Sequence, residues 1–520
     1  MRISRIKNTI RNSIWGFINQ GIMLIFPFII RTYIINTLGT KYIGLNGLFT
    51  SILSVLSLAE LGFGNAVVYS IYKPIANNDN EKICALMKLY KDVYEKIGWS
   101  VLVLGLALIP CIPYFIKDSI PDNINIYMLY AIYLFNAVVS YWMFAYKNCL
   151  LTAFQRNDIA TKITLIVRTF FYFLQIIILC LFANYYIYLM CMPASNIAIN
   201  LITARIVDTI YPEFRSYGEV SKEEKNGIRK QVIGLLAQRL AHLSRNSLDN
   251  IIISAFLGLT YVAIYGNYFY IINSVTTILA IFFTSMQAGI GNSIVKETIE
   301  KNYNDLQKIN FLYMWIAGWC TTCIAILTQP FMEVWVGKHL LFPIGIVFIL
   351  AFYFYTMKMT DPVGAYIGAT GLWWKCKYTY LLETMVNLLL NIILGYLWGV
   401  IGIIIATMIS VLFVNYVSTV YVLFKNYFKN IKMSKYFYTN IFYFIVTIVV
   451  VVLSYYIINY IYIRIFNNIN SLLEFGIKLF ACLIIPNILY FGIYSHTNIY
   501  KVTKRWIINK KIRGTLYAKD

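Results

Sequence analysis

Charged residues are scarce in this sequence. Of its 520 residues, 13% are Asp, Glu, Lys or Arg, whereas 60% are hydrophobic. An average soluble globular domain has about 25% charged residues. The composition therefore excludes a water-soluble globular domain and indicates a protein that resides in a membrane.

Motifs of nucleotide use and of catalysis are also missing. No G-x-x-x-x-G-K-[ST] occurs, so direct use of ATP is not expected. The longest predicted outer connection, 329–342, has only Glu333, Lys338 and His339 as titratable residues, too few for a catalytic domain. The D-x-D-like run 79–81 lies on an amphipathic segment, 77–96, which we expect at the inner membrane interface, and a solvated helix face explains the run. The chain is therefore predicted not to be an enzyme, with chemistry inside the membrane left as the alternative.

The cysteines give no framework for a fold. Most of the nine cysteines lie within or beside apolar runs, whereas disulfide scaffolds are typical of small secreted domains. Cys320 and Cys323 form a C-x-x-C, but Trp319 and Ile324 place it in the middle of an apolar run, where packing explains it. We predict no metal site and no cofactor.

Long apolar runs are abundant. A helix needs about 20 residues to cross about 30 Å of hydrocarbon, and most of the runs are that long. They predict an all-α polytopic membrane protein with about 14 transmembrane helices, at 12–36, 44–70, 95–116, 124–147, 163–183, 185–207, 231–257, 262–294, 309–328, 343–368, 379–397, 399–424, 440–463 and 473–495.

Lysine and arginine outnumber aspartate and glutamate by 44 to 22. With the N-terminus inside, the predicted outer loops hold only Lys41, Lys117, Lys338 and Arg464. This asymmetry follows the positive-inside rule, and an even number of spans puts both termini in the cytoplasm. The basic excess therefore indicates contact with anionic lipid headgroups and no binding of nucleic acid.

The second half of the chain echoes the first. Leu38-Gly39-x-x-Tyr42 opens the second predicted span, and Leu257-Gly258-x-x-Tyr261 opens the eighth. Repeats of six spans keep their orientation, which implies two pseudo-symmetric six-helix bundles related by an axis along the membrane normal. The predicted parts are a first bundle at 1–212, a cytoplasmic linker at 213–230, a second bundle at 231–428, and two further helices with a basic tail at 429–520.

The predicted span 231–257 combines apolar ends with a polar middle. At about 100° per residue, six of its polar side chains fall within about 120° of one face. A bare charge at mid-depth costs about 2.5–3.5 kcal/mol on insertion scales, so this face must meet water, other helices or a ligand. We predict the wall of a hydrophilic transport cavity, and the alternative is a buried polar seam between helices. The six residues are Gln238, Arg239, His242, Arg245, Asn246 and Asp249.

The first two predicted spans also hold charged residues. Arg31 follows Pro27 in the first span, and it either faces the cavity or snorkels to the outer surface. Glu60 lies well inside the second span, beside Gly62 and Gly64, which allow a neighbouring backbone to approach. We predict Arg31 as a substrate-binding cation and Glu60 as a candidate for ion coupling.

The second half of the chain adds a pair of oppositely charged residues and a row of polar residues on one helix. Lys358 and Asp361 lie three residues apart and can pair on one helix face. Glu383, Asn387 and Asn391 form a polar ladder that serves either helix–helix hydrogen bonding or a cavity. The predicted substrate-binding cations are thus Arg31, Arg239, Arg245 and Lys358, and the predicted polar or ion-coupling residues are Glu60, Gln238, His242, Asn246, Asp249, Asp361, Glu383 and Asn387.

Several stretches of the sequence resemble the polysaccharide-transporter family. They are LGTKYIGLNGLF, SLAELGFGNAVVYSIYKPIA, NSLDNIIISAFLGLTYVAIYGNY and GATGLWWKCKYTYLLETMVNLLLNIILGYLWGVIGIIIATMIS, from about Gly39 to Ser410. This family of flippases belongs to the multidrug/oligosaccharidyl-lipid/polysaccharide exporter superfamily. The resemblance implies two bundles around a central cavity with alternating access, and a basic residue in the tenth span, where Lys358 stands. Cys376 departs from the family pattern.

The resemblance implies a flippase of the bacterial cytoplasmic membrane that moves undecaprenyl-pyrophosphate-linked oligosaccharides. Fixed guanidinium groups would replace the hydration of the pyrophosphate with charge-assisted hydrogen bonds. The expected partners are this glycan lipid, membrane lipids, and a glycan polymerase and glycosyltransferases of the same pathway, with the chain itself a monomer. The alternatives are a membrane-integral glycan polymerase or glycosyltransferase, and a drug exporter of the same superfamily, which would need an acidic or aromatic cavity.

Overall fold

Residues 5–60, 63–465 and 470–517 are described in a computed structural model of the chain. Every regular element in those ranges is helical, and they contain no strand. The hydrocarbon environment explains this, because an α-helix satisfies its backbone N–H and C=O groups within its own segment. The predicted all-α fold is confirmed.

The chain divides into two compact units, 1–266 and 267–520. Helices that begin in the first unit are α1 (Arg5–Thr37), α2 (Thr40–Leu56), α3 (Phe63–Asn77), α4 (Asn80–Ala107), α5 (Ile126–Trp142), α6 (Asn148–Ala153), α7 (Asn157–Phe182), α8 (Tyr185–Ile210), α9 (Lys222–Leu243), α10 (Asp249–Leu257) and α11 (Leu259–Lys296). Those of the second unit are α12 (Ile299–Val336), α13 (Ile344–Met359), α14 (Asp361–Ala369), α15 (Lys377–Trp398), α16 (Val400–Ile409), α17 (Val417–Asn426), α18 (Met433–Ile465), α19 (Ser471–Tyr494) and α20 (Asn498–Tyr517). Two π-helical segments, Ser244–Leu248 and Ser410–Tyr416, join α9 to α10 and α16 to α17.

The boundary between the units lies inside α11, later in the chain than the predicted linker at 213–230. Residues 231–266 belong to the first unit because they bond to it. Asn250 Nδ2 donates to Ser51 Oγ at 3.0 Å, and Lys117 Nζ donates to the carbonyl oxygen of Phe256 at 2.6 Å. The predicted two-bundle division stays a prediction.

The two glycines of the sequence echo share one backbone conformation. The φ angle is 105° at Gly39 and 101° at Gly258, in a region that L side chains rarely adopt. Gly39 separates α1 from α2, and Gly258 separates α10 from α11. The echo therefore places the same turn, with the same need for glycine, before both α2 and α11.

Among the described residues, nine helices are long and apolar enough to cross a membrane, and eleven if each of two bent pairs is one span. The bent pairs are 80–115 and 126–153, with bends of 61° and 48°. The predicted spans 44–70, 231–257 and 262–294 are helical in their described parts but are not among the eleven. The chain is a multi-pass membrane protein, and the number of about 14 spans stays a prediction.

Helix α7 shows how a span divides its surface. Five large apolar side chains at helical spacing are at least half exposed, whereas Gln175 and Leu179 on the other side are buried. Soluble monomers rarely expose such a stripe, but hydrocarbon solvates it. The exposed residues are Ile166, Phe170, Phe173, Ile177 and Leu181.

The amphipathic pattern of segment 77–96 predicts a separate interfacial helix, and this is wrong. Asn77 ends α3, and residues 80–96 are the beginning of the unbroken helix α4, which continues to Ala107. The Asp79 side chain caps this helix by accepting a hydrogen bond from the Lys82 backbone N–H at 3.0 Å. The apolar face that we expect in the membrane interface is buried within the unit, with Leu86 and Tyr90 2% and 6% exposed. The charged face binds a neighbouring helix instead, since Lys82 forms an ion pair with Glu224 of α9.

The two predicted additional spans, α18 and α19, pack on α12 in the second unit. The ring of Phe311 on α12 lies 5.9 Å from that of Tyr443 and 5.1 Å from that of Tyr494. Beside it, Asn310 Nδ2 donates to Asn440 Oδ1 at 3.2 Å, and both residues are buried. Aromatic packing and a buried amide pair thus hold α18 and α19 to the rest of this unit.

Candidate functional site

The first unit contains a cavity of about 480 Å³, bordered by the helices α3 to α9. Its volume lies in the range of about 300–1,000 Å³ that small-molecule sites occupy. Two predicted site residues, Glu60 and Arg239, lie on its wall. Most of the other polar lining is uncharged, with Ser140, Asn148, Thr152, Thr164, Asn196, Asn200 and Thr203.

Glu60 is held by tyrosines. It ends the 3₁₀ turn Ser57–Glu60. The Tyr94 hydroxyl donates to its Oε1 at 2.9 Å, and the Tyr141 hydroxyl donates to its Oε2 at 2.7 Å. The Tyr90 hydroxyl in turn donates to Tyr94 at 2.9 Å. Both carboxyl oxygens therefore accept hydrogen bonds, and the group is fixed at the cavity wall.

Gly64 makes room for this tyrosine chain. A Cβ at position 64 would lie 2.6 Å from the hydroxyl oxygen of Tyr90 and 3.8 Å from that of Tyr94. Real Cβ contacts of 2.6 Å essentially do not occur, so a side chain at position 64 would force the Tyr90 hydroxyl to shift. The absence of a side chain at Gly64 thus keeps Tyr90 in contact with Tyr94.

Helix α8 supplies amides to the cavity wall. Asn196 Nδ2 donates to Asn136 Oδ1 at 2.9 Å, and Asn200 Nδ2 donates to the carbonyl oxygen of Ser140 at 3.5 Å. Amides and hydroxyls offer both donors and acceptors. A wall of this composition suits a ligand that has many hydroxyl groups and no strong charge of its own there.

Arg239 reaches the cavity from α9. Its side chain is exposed, and it makes no hydrogen bond or ion pair within the described part of the chain. Its own helix offers no carboxylate one turn away, since Leu236, His242 and Leu243 stand there. A guanidinium on a cavity wall with its donors unused can bind an anion through two parallel hydrogen bonds.

The helix that carries Arg239 changes its winding after Leu243. Residues Ser244–Leu248 form the π-helical turn, and such turns within α-helices occur frequently at functional sites. Arg245 and Asn246 lie in this turn and are half-buried, and Asn246 Nδ2 donates to the carbonyl oxygen of His242 at 2.9 Å. Asn246 of this turn therefore bonds back to the last turn of α9.

Other residues of the predicted polar face do not line the cavity. Asp249 is fully buried and accepts a hydrogen bond from the Tyr265 hydroxyl at 3.1 Å. Gln238 is half-buried, and His242 is exposed. Of the six residues on that face, the structure brings only Arg239 to the cavity.

Arg31 lies in the same unit but away from the cavity lining. Its Nη2 donates to the carbonyl oxygen of Ala263 in α11 at 3.2 Å. Gly266 leaves space for it, because a Cβ there would lie 2.8 Å from the same nitrogen. The guanidinium of Arg31 is thus directed at the backbone of α11.

The second unit contains the pair that the sequence spacing allows. Lys358 Nζ lies 2.9 Å from Asp361 Oδ2, and the Lys358 side chain is 8% exposed. The Tyr313 hydroxyl on α12 donates to the same carboxyl oxygen at 2.5 Å. Lys358 is therefore neutralised locally, unlike Arg239.

The polar ladder of α15 faces neighbouring helices. Glu383, Asn387 and Asn391 are all fully buried. Asn415 Nδ2 donates to Glu383 Oε2 at 2.5 Å, and Asn387 Nδ2 donates to Thr407 Oγ1 at 3.0 Å. These contacts favour the alternative in which the ladder forms hydrogen bonds between helices.

The tyrosines around Glu60 are the part of the site that the sequence does not reveal. Tyr90 and Tyr94 lie one helical turn apart, and their pattern indicates only the apolar side of an amphipathic helix. Tyr141 comes from α5, 81 residues after Glu60. No local pattern connects residues so far apart in the chain.

No family model matches the sequence, and no curated protein matches it. The similarity is to solved structures. A structure of the lipid II flippase MurJ in an inward-closed conformation has a TM-score of 0.63 at 15% identity, over 93% of this chain and 99% of that one. An inward-facing multidrug resistance MATE family transporter of the MOP superfamily has a TM-score of 0.58 at 13% identity, over 76% of this chain and 93% of that one. At such identities the likeness shows the fold, which is that of polytopic membrane transporters.

Proposed function

We propose that the chain is a flippase that moves undecaprenyl-pyrophosphate-linked oligosaccharide repeat units across the bacterial cytoplasmic membrane, for capsule, O-antigen or exopolysaccharide assembly. The observation that carries the proposal is Arg239, a guanidinium without a protein partner among the described residues, on the wall of a polar cavity. The fold shared with a lipid flippase supports transport rather than enzymatic chemistry. The resemblance of residues 39–410 to polysaccharide transporters supports the substrate class.

The cavity suits the two polar parts of such a substrate. A pyrophosphate loses its hydration on entering a membrane, and Arg239 offers charge-assisted hydrogen bonds in exchange. The sugars can bond with the hydroxyls and amides of the lining. The polyprenyl chain needs no cavity, because it stays soluble in hydrocarbon. Alternating access would then move the polar head while the lipid tail remains in the bilayer.

The test is the fate of the lipid-linked repeat unit in cells that lack the protein. We expect the repeat unit to accumulate on the cytoplasmic side while glycosyl transfer continues. A membrane-impermeant glycosidase applied to right-side-out and inside-out vesicles measures the side. A repeat unit that is never built would contradict the proposal and support the glycosyltransferase alternative.

Export of organic cations is the second candidate, because Glu60 and two tyrosines line the same cavity. An anionic carboxyl and aromatic rings attract cations, and the fold is shared with a multidrug resistance transporter. Efflux from vesicles of purified protein separates the candidates. Cation export should depend on Glu60 and persist in Arg239→Ala, whereas lipid-linked glycan transport should fail in Arg239→Ala.

A further inference from the structure

The second unit contains a larger cavity, of about 880 Å³, which lies among the first turns of α12, α18 and α20. The proposed transport chemistry does not use it. Three lysines line it, Lys308, Lys432 and Lys435, and there is no acidic residue among its described lining. Its volume would hold a phospholipid headgroup with the beginning of its chains.

Two of the lysines keep their charge uncompensated. Lys432 and Lys435 are exposed and make no ion pair with any described residue. Lys308 is different, because its Nζ lies 2.9 Å from Asp305 Oδ1 and 5.7 Å from the ring centre of Trp506. The cavity therefore has two cations available for an anion.

Helix ends add to the positive potential. Helix α18 begins at Met433 and α20 at Asn498, and neither has an acidic residue in its first turn. The first N–H groups of a helix lack partners within the helix and carry the positive end of its dipole. Ser434 and Asn498 in these turns line the cavity. Two helix N-termini and two lysines thus surround one space.

The outer wall of the cavity is apolar. Tyr438 and Phe442 line it and are 72% and 42% exposed, and Ile499 and Val502 line it as well. Tyr438 and Phe442 follow Lys435 along α18 by about one and two turns. Basic groups therefore stand at one end of the wall and exposed rings at the other, as at a membrane interface.

We propose that this cavity binds an anionic glycerophospholipid of the cytoplasmic leaflet. Its phosphate binds to Lys432, to Lys435 and to the N-terminal turns of α18 and α20. Its acyl chains lie along Tyr438 and Phe442. The leaflet follows from the predicted topology, which puts the segments before α18 and α20 in the cytoplasm. A bound lipid would join the basic C-terminal helix α20 to α12 and α18.

Binding of defined lipids to the purified, delipidated full chain tests the proposal, with native mass spectrometry as the readout. We expect phosphatidylglycerol to bind at least tenfold more tightly than phosphatidylcholine. Lys432→Gln with Lys435→Gln should weaken phosphatidylglycerol binding about tenfold or more, because each lysine near an anionic headgroup contributes to attraction. The matched control is Lys222→Gln with Lys225→Gln, which removes the same charge from exposed positions of α9 and should leave binding unchanged.

A second measurement separates binding from folding. The double lysine variant removes no ion pair with any described residue, so without added lipid its thermal midpoint should equal that of the unchanged chain. Equal binding of both lipids, or full binding by the double lysine variant, would overturn the proposal. Competition by millimolar inorganic phosphate alone would reveal a plain anion site, and tighter binding of a polyprenyl phosphate would reveal a substrate site. Because no glycan is transported in this assay, its failure leaves the flippase proposal standing.

Discussion

Arg239 is the residue on which the proposed function depends most directly. We expect Arg239→Ala to lower glycan export at least tenfold, because a charge-assisted hydrogen bond contributes about 1.5–3 kcal/mol. The protein should still accumulate in the membrane, since the substitution removes no bond to another described residue. Arg239→Lys should restore export only in part, as it keeps the charge and loses the planar fork. Surface glycan, measured together with the amount of protein, checks both statements.

The matched control is Arg229→Ala, an exposed arginine on the same helix that does not line the cavity. It should export normally. Normal export by Arg239→Ala would remove this residue from substrate binding. Loss of the protein itself would instead support the polar seam between helices that the sequence also allows.

Two substitutions separate the structural role of Glu60 from the role of its charge in transport. Glu60→Ala leaves the hydroxyls of Tyr94 and Tyr141 without their acceptor, at a cost of about 1–3 kcal/mol for each buried group. Glu60→Gln removes the charge and replaces one carboxyl oxygen by an NH2 group, so it keeps a carbonyl acceptor for one of the two hydroxyls and offers the other a donor. We therefore expect a lower thermal midpoint for the alanine variant than for the glutamine variant in detergent.

Transport by the glutamine variant decides whether the charge matters. If Glu60 binds the coupling proton or sodium ion, Glu60→Gln should fold and fail to transport. A glutamine variant that folds and transports at the normal rate would limit Glu60 to holding the tyrosines.

For the helices, we expect substitutions on the two faces of α15 to have different effects on the free energy of unfolding. Asn387 is fully buried and bonds to Thr407, whereas Leu389 on the same helix is 60% exposed. Interhelical hydrogen bonds in membranes contribute about 0.6 kcal/mol on average. A double-mutant cycle of Asn387→Ala and Thr407→Ala should give a coupling of this size in the free energy of unfolding, and Leu389→Ala should change that free energy little.

A coupling of zero between Asn387 and Thr407 would contradict the hydrogen bond between α15 and α16. Export for each folded molecule is the second measurement. If both single variants export normally once corrected for protein amount, the ladder serves packing. A loss of export beyond the loss of protein would favour the cavity alternative.

For the whole molecule, the testable statement is the topology. Reporter fusions after Lys230 and after Phe428 should both report the cytoplasm, because the outer loops of the predicted arrangement are nearly free of basic residues. A periplasmic signal at either place would contradict the two-bundle arrangement. A periplasmic signal after Phe428 would also place the lysines around the second cavity in the other leaflet.

The sequence indicates the helices and the exceptional charges but not their partners. Hydrocarbon thickness fixes the length of an apolar run, and the cost of a charge in lipid marks Glu60 and Arg239 as exceptions. The turn at Gly39 and Gly258 is visible because both positions repeat one short pattern. The contact of Tyr141 with Glu60 is not visible, since helical periodicity tells which face is polar and not which helix lies against it. For the same reason the sequence predicts the same role for Arg31 and Arg239, although of these two residues only Arg239 lines the cavity.

The contact between Gly64 and Tyr90 also sets the order in which these positions can evolve. Alanine at 64 collides with the hydroxyl oxygen at 2.6 Å, but the ring carbon that bears it lies 3.6 Å away, an ordinary contact. Phenylalanine at 90 therefore makes alanine at 64 tolerable, whereas alanine arriving first forces the tyrosine hydroxyl away from its position beside Tyr94. Homologous lineages should accordingly show a small residue larger than glycine at 64 only where the residue at 90 has already lost its hydroxyl.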